Sequence, residues 1–314
     1  MSKLKYKIAS MRLRTLPLSL AGVLLGSLLA IAEFRVQWQV VVLICLTTVC
    51  LQILSNLSNE LGDALHGTDT EERPGPTYGM GPVAGSKADK DGKEEFLTVA
   101  EMKRLIIGAA IAACAFGAAM IRVSFGTFFC IESICMLLLG AAAIAAAIRY
   151  TLGRNPYGYR GLGDIYVFLF FGLVSVLGSY FVCAHTLLGW KLLLPASTIG
   201  FFSVAVLNVN NIRDMASDAA TRRTVALMLG VRKARIYQTV LICLGWACMT
   251  AFCLLRIPDW KHFLFFLTLP LYCRHLFLVW TREGRALDAA LPLLVLSTFA
   301  FSLLAGFGFC AFLY

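Results

Sequence analysis

The sequence predicts an all-α polytopic membrane protein, about nine transmembrane helices in one bundle, on three observations. Of its 314 residues 59% are hydrophobic and 15% charged, where soluble domains carry roughly 25% charged residues; mean hydropathy is +0.77. The apolar residues gather in runs near the ~20 residues a bilayer crossing needs: 15–33, 38–58, 105–121, 127–148, 165–184, 192–209, 236–255, 262–280 and 289–313. The basic residues divide unevenly: 23 of 28 Lys and Arg fall on the N-terminal side, leaving Arg35, Arg122, Lys191, Arg256 and Lys261 opposite. By the positive-inside bias that side is cytoplasmic, with the N-terminus. The net charge of +10 is therefore a topology signal, and nucleic acid is not expected as a partner.

Residues 1–14 form a basic amphipathic lead suited to the membrane interface. Arg14-Thr15-Leu16-Pro17 then starts a retained first span, Pro being at home in a helix's first turn. A short turn around Glu33–Gln37 leads to span two, which closes on Asn56, Asn59, Glu60 and Asp63, followed by Asp69. The longest polar segment, 60–103, holds RPGPTYGMGPVAGS, which reads as a lid with Gly and Pro hinges, then KADKDGKEE, a solvated tip. Spans three and four are rich in Ala and Gly, which lets helices approach closely in lipid. The connection RYTLGRNPYGYRGLGD, Arg149–Asp164, mixes Arg149, Arg154 and Arg160 with Tyr150, Tyr157 and Tyr159. Phe168, Phe170 and Phe171 on span five read as lipid-facing or core. Span six runs into NVNNIRDMASDAATRRT, Asn208–Thr224. The 11 cysteines lie in apolar runs without a C-x-x-C pair and read as buried, inert thiols. The four histidines are scattered, with His66 nearest the acids.

Asn210, Asp214 and Asp218 recur every four residues, which places them on one helix face. Asn59 and Asp63 repeat the Asn-x-x-x-Asp step 151 residues earlier. That hints at duplicated four-helix units, about 15–150 and 165–280, with a ninth helix at 289–313, inside one domain spanning 1–314. Carboxylates at the mouths of apolar helices are costly unless a cation or aqueous cavity offsets them. Two such clusters read as a Mg2+ site for a polyphosphate, two ions bridging a diphosphate, because Mg2+ takes one or two carboxylates plus phosphate oxygens. Asn59 and Asn210 would add amide oxygens or steady the carboxylates. Arg213, Arg222 and Arg223, with Arg149, Arg154 or Arg160, could clamp the same oxygens. Loss of diphosphate from an allylic donor needs a dry surrounding, which a helical bundle supplies. The rival readings are a solvated helix end capped by Asn and an ion-coupled transporter, whose acids would sit at mid-bilayer among broken helices. A phosphatidyltransferase would pack its acids into one dense motif.

The segments RLRTLPLSLAGVLLGS, QILSNLSNELGD with Gly67 and Asp69, YTLGRNPYGYRGLGD, and NNIRDMASD with TRRTVALMLG, spread over 12–230, resemble the UbiA-type intramembrane aromatic prenyltransferase superfamily. Within it they are most similar to the branch that prenylates 1,4-dihydroxy-2-naphthoate. The resemblance implies nine helices in a bacterial inner membrane with a cytoplasm-facing cavity. It makes Asn59, Asp63, Asp69, Asn210, Asp214 and Asp218 Mg2+–diphosphate residues, with Asp63, Asp214 and Asp218 catalytic. It also puts Arg149, Tyr150 and Asp164 against substrate, beside Arg154, Arg213 and Arg222 of the expected diphosphate clamp. One departure stands out: the family's first motif reads Asn-Asp-x-x-Asp, and Glu60 takes the place of its first Asp. The implied reaction moves a polyprenyl chain from an allylic polyprenyl diphosphate to the ring carbon bearing the carboxylate. CO2 and diphosphate leave, giving demethylmenaquinone. Hydroxybenzoate, homogentisate or haem remain open as alternative acceptors.

Overall fold

A backbone in lipid has to satisfy its own N–H and C=O groups, so apolar runs of this length become helices. The computed structural model describes residues 3–66, 97–219, 222–256 and 258–310. Among them nine helical stretches are long and apolar enough to cross a membrane: Leu4–Ile31, Trp38–His66, Val99–Phe125, Ile131–Arg149, Gly163–Ala184, Trp190–Arg213, Val231–Leu254, Trp260–Thr281 and Gly284–Cys310. Large apolar side chains such as Ile107, Ile111, Leu138, Leu267, Phe277 and Leu296 point outward, as a multi-pass membrane protein requires. Asp69 and the Gly/Pro-rich segment that follows it lie outside the described residues.

The chain opens with α1 (Lys3–Ser10) and a 3-10 turn at Leu13–Thr15, then α2 (Leu16–Ile31) with Pro17 in its first turn. Helix α3 (Trp38–His66) runs on past residue 58, so Asn59 and Asp63 ride a continuing helix rather than a loop. Helix α4 (Val99–Phe125) starts earlier than hydropathy alone indicates. Thr98 Oγ1 accepts from the Glu101 N–H and the Glu101 carboxylate accepts from the Thr98 N–H, a capping box in a stretch where Glu101, Lys103 and Arg104 interrupt the apolar run. Helix α5 is Ile131–Arg149. Span five is composite: α6 (Gly163–Val167), a π-helical segment Phe168–Val174, and α7 (Ser175–Ala184). Then come α8 (Leu193–Arg213), α9 (Met215–Asp218), α10 (Val225–Leu229), α11 (Val231–Leu254), α12 (Leu269–Thr281) and α13 (Ala290–Cys310).

Helix α2 packs on α7 and α13, α8 on α11 and the π segment, and α3 on α4, with α5 against α3 and α4. The densest packing surrounds α8, where Phe202 meets Tyr272 and Phe301 at ring separations of 4.8 and 5.1 Å. The π segment lies close on α8 because both contact residues are glycine: a Cβ on Gly172 would come within 2.6 Å of Gly200 Cα. Four of the cysteines expected to be buried, Cys114, Cys135, Cys243 and Cys273, are instead exposed on outward helix faces. Hydropathy places a thiol in the membrane without saying whether protein or lipid surrounds it.

Candidate active site

The last turns of α3 carry two i, i+4 pairs on neighbouring faces, Asn56–Glu60 and Asn59–Asp63. The first pair grips the N-terminal lead. Asn56 Nδ2 donates to Met11 O at 2.8 Å and Thr15 Oγ1 at 3.0 Å, and Gln52 Nε2 donates to Asn56 Oδ1 at 3.0 Å. Glu60, fully buried, accepts from Arg12 Nη2 at 2.7 Å. Arg12 takes the left-handed backbone conformation (φ 46°, ψ 52°), uncommon for a residue with a Cβ; its carbonyl is held by Thr15 Oγ1 at 2.9 Å. Asn56 and Glu60, grouped with the acids on sequence grounds, therefore anchor the N-terminal turn.

The second pair faces the site. Asp63 accepts from Tyr159 Oη at 2.7 Å on the oxygen that Arg222 Nη2 also engages. Arg222 Nε lies 3.8 Å from Asp218 Oδ1, and the guanidinium stacks 4.7 Å from the Tyr159 ring centroid. Residues far apart in the chain are thus joined through one arginine. Asn59 Oδ1 accepts from Thr151 Oγ1 at 3.2 Å, and that hydroxyl also reaches Ser58 O at 2.9 Å. Burial alone would lower the pKa of Arg222; Asp63 first, then Tyr159 and Asp218, more than offset it, and the net shift is upward.

The other ladder stands where α8 ends. Asp214 leaves helical geometry (φ −94°, ψ 9°) before α9 begins. Its neighbour Arg213 folds back on it, Nε to Oδ1 at 2.7 Å and Nη2 to Oδ2 at 2.6 Å. Arg213 also donates to Asn210 Oδ1 at 2.9 Å and Asp288 Oδ1 at 3.0 Å. Asp214 and Asp218 are both buried. One turn below, Asn208 Nδ2 donates to Gln238 Oε1 at 2.8 Å, Gln238 Nε2 meets His275 Nε2 at 3.0 Å, and His275 Nδ1 meets Ala290 O at 3.0 Å. This buried chain ties α8 to α11, α12 and α13.

The mid-chain segment lies between the ladders. Its backbone forms an isolated parallel bridge, Arg160 with Arg223, and the Arg223 N–H donates to Tyr159 O at 3.0 Å. Asp164 turns to α11, accepting from Tyr237 Oη at 2.9 Å. Arg149 and Arg154 are exposed, outside this network among the described residues. Tyr150 is pushed up to about 12 by burial, which Arg222 partly opposes and Asp164, Asp63 and Asp218 reinforce. It stays a neutral phenol at ordinary pH. Tyr159, which joins Asp63 to Arg222, is the site residue that spacing did not single out; its place in the Tyr-rich connection was the available signal.

Beneath the acids lies a cavity of about 360 Å³. Asn59, Tyr150, Tyr157 and Tyr166 stand at its acidic end, and Ile44, Met120, Met136 and Val182 at the far end. Phe170 and Phe171 line it, rather than facing lipid or filling core. Tyr157 stacks on Tyr166 at 3.9 Å, Tyr150 meets Tyr157 edge-on at 5.3 Å, and Phe170 continues the row. The site couples a polar, acid-rich mouth to an apolar, aromatic-walled slot.

A sequence profile of the UbiA prenyltransferase family matches residues 103–303. The chain belongs to the UbiA prenyltransferase family. It is 39% identical over 265 residues to the 1,4-dihydroxy-2-naphthoate octaprenyltransferase of Escherichia coli (strain K12), covering 84% of this chain and 81% of that protein. To the protein of the same name from Haemophilus influenzae it is 37% identical over 284 residues, 90% of this chain and 87% of the other. Its fold is similar to that in the apo structure of a UbiA homolog from Aeropyrum pernix K1, with a TM-score of 0.67 at 15% identity, covering 95% and 98% of the two chains.

The oxygen donors of the two ladders in this UbiA-family chain fit a hard cation such as Mg2+. Among the described residues no three His, Cys, Asp or Glu side chains gather as a closed metal cage.

Proposed function

We propose that this protein transfers a polyprenyl chain from an allylic polyprenyl diphosphate to 1,4-dihydroxy-2-naphthoate, with its acidic mouth and N-terminus cytoplasmic in a bacterial inner membrane. The observation that carries this reading is the meeting of Asp63, Arg222 and Asp218 over the mouth of an apolar, aromatic-walled cavity. The names of the two bacterial relatives support the choice of acceptor, and the basic bias of the connections supports the orientation.

In this mechanism Asn59, Asp63, Asn210, Asp214 and Asp218, with Asp69, would hold Mg2+. When bound, Mg2+ supplies charge neutralisation for the departing diphosphate. The chain's own groups do the rest. Arg222 and Arg213 exchange carboxylate for phosphate oxygens and hold the diphosphate at the mouth. Tyr150, a neutral phenol between the ladders and the cavity, orients substrate as a hydrogen-bond donor. Negative ring faces of Tyr150, Tyr157, Tyr166 and Phe170 stabilise positive charge as the allylic C–O bond breaks, its electron pair leaving with diphosphate. The apolar wall keeps water away from that carbon. The ring carbon bearing the carboxylate then bonds to the allylic carbon. As the carboxylate leaves as CO2, its C–C electron pair restores aromaticity. No net oxidation occurs, so the immediate product is the hydroquinone form of demethylmenaquinone, which a separate oxidation converts to the quinone.

Membranes containing the protein, given a polyprenyl diphosphate and either dihydroxynaphthoate or hydroxybenzoate, should yield decarboxylated prenyl-naphthohydroquinone by mass spectrometry, and none in excess chelator. A prenylated hydroxybenzoate as the main product would overturn the acceptor. Full turnover in chelator would overturn the metal.

A further inference from the structure

Two kinds of glycine in the spans differ in what lies in front of them. A Cβ on Gly22, Gly26, Gly172, Gly200, Gly245, Gly306 or Gly308 would collide with a neighbour at under 3.0 Å, so these residues let helices touch. A Cβ on Gly140 of α5 or Gly178 of α7 would meet nothing within 4 Å, and both residues line the apolar cavity. Neither is explained by close helix packing, and glycine weakens a helix interior. What both share is the space in front of them. At about 1.5 Å rise per residue, Gly140 lies roughly 15 Å below Tyr150 and Gly178 roughly 18 Å below Tyr166, well down the slot from the acidic mouth.

We propose that Gly140 and Gly178 keep the cavity open at that depth for the prenyl tail and so determine which tail lengths are accepted. The inference rests on the prenyl-transfer reading above and deepens it. A geranyl tail, about 10 Å end to end from C–C bonds near 1.5 Å, ends above the two glycines. An octaprenyl tail has to pass them. A side chain at either position fills the slot below a short donor and in the path of a long one.

The test is kcat/KM with geranyl and octaprenyl diphosphates, dihydroxynaphthoate as acceptor, for Gly140→Leu and Gly178→Leu, with Gly140→Ala and Gly178→Ala as graded partners. Gly108→Leu is the control, an exposed α4 glycine outside the cavity whose Cβ also meets nothing within 4 Å. The Leu variants should lose about tenfold or more of the octaprenyl-to-geranyl ratio, in line with steric discrimination in apolar pockets. The Ala variants should lose less, and Gly108→Leu nothing. An unchanged ratio, or equal loss with both donors across the Leu and Ala variants, would overturn the proposal. Wild-type membranes that prenylate nothing would instead overturn the function on which it rests.

Discussion

The acidic ends of α3 and α8 share the Asn-x-x-x-Asp step and are built differently around it. Helix α3 continues unbroken through Asp63 and receives its cations from far away, Arg222 onto Asp63 and Arg12 onto Glu60. Helix α8 breaks at Asp214, and the adjacent Arg213 clasps that carboxylate. The supports below differ as well. Gln52 and Asn56 tie α3 to the N-terminal turn, whereas Asn208, Gln238 and His275 lock α8 to three other helices. A shared spacing fixes which way the carboxylates face. What holds each in place is set by tertiary neighbours, and Arg222 makes the two ends one site.

The comparison predicts equal chemistry from unequal surroundings. Asp63→Asn and Asp214→Asn each remove a proposed metal-binding charge, worth about 4 kcal/mol and thus roughly a thousandfold in turnover. Both losses should appear in kcat/KM with the protein still folded in the membrane. Near-normal turnover in Asp63→Asn alone would break the symmetry and leave α8 as the working end. Arg222→Gln comes next. It removes the positive charge shared by Asp63 and Asp218 and the clamp on diphosphate, and should cost about a hundredfold. Much of that loss should fall in KM for the diphosphate donor. Arg222→Lys should restore part of it, since an ammonium keeps the charge without the planar fork.

Sequence reading reached the nine spans because hydropathy alone dictates helices in lipid. It paired Asn59 with Asp63 and Asn210 with Asp214 because a four-residue step is a helix face; α3 keeps that face through Asp63, whereas α8 ends at Arg213 and Asp218 belongs to the next short helix. It did not separate Asn56–Glu60 from Asn59–Asp63, since both pairs keep that step on adjacent faces. Only the docking of Arg12 and Thr15 on one face and Tyr159 and Arg222 on the other tells them apart. Nor could it find the cavity wall: Phe170 and Phe171 look like any aromatic in a membrane span until neighbouring helices leave space beside them. Arg149 and Arg154 carried the right charge in the right segment, and their exposure follows from how that segment folds.

The division of labour on α3 can be tested directly. Glu60→Gln keeps an oxygen for Arg12 and gives up the buried charge, so it should cost about 2 kcal/mol of stability, as for a hydrogen bond to a charged group. Turnover should fall only about threefold, the scale of a change away from the chemistry. A loss as deep as that of Asp63→Asn with an unchanged melting temperature would return Glu60 to the metal site.

The smallest effect on chemistry is expected beneath α8. With Nδ1 of His275 donating to Ala290 O, its Nε2 has to accept, and Gln238 Nε2 supplies the proton. Gln238 Oε1 in turn accepts from Asn208 Nδ2, which also donates to the Ala234 carbonyl at 3.0 Å. Gln238→Leu leaves the His275 acceptor buried without that donor, a penalty of about 1–3 kcal/mol. The melting temperature in detergent should drop accordingly. Asn210 and Asp214 lie further along α8, on a helix still packed against α11, so kcat/KM should change by less than about threefold. If Gln238→Leu instead shifted the donor KM with the melting temperature unmoved, the buried chain would be setting the rotation of α8 at the diphosphate, and the α8 ladder would prove as dependent on distant partners as the α3 ladder is.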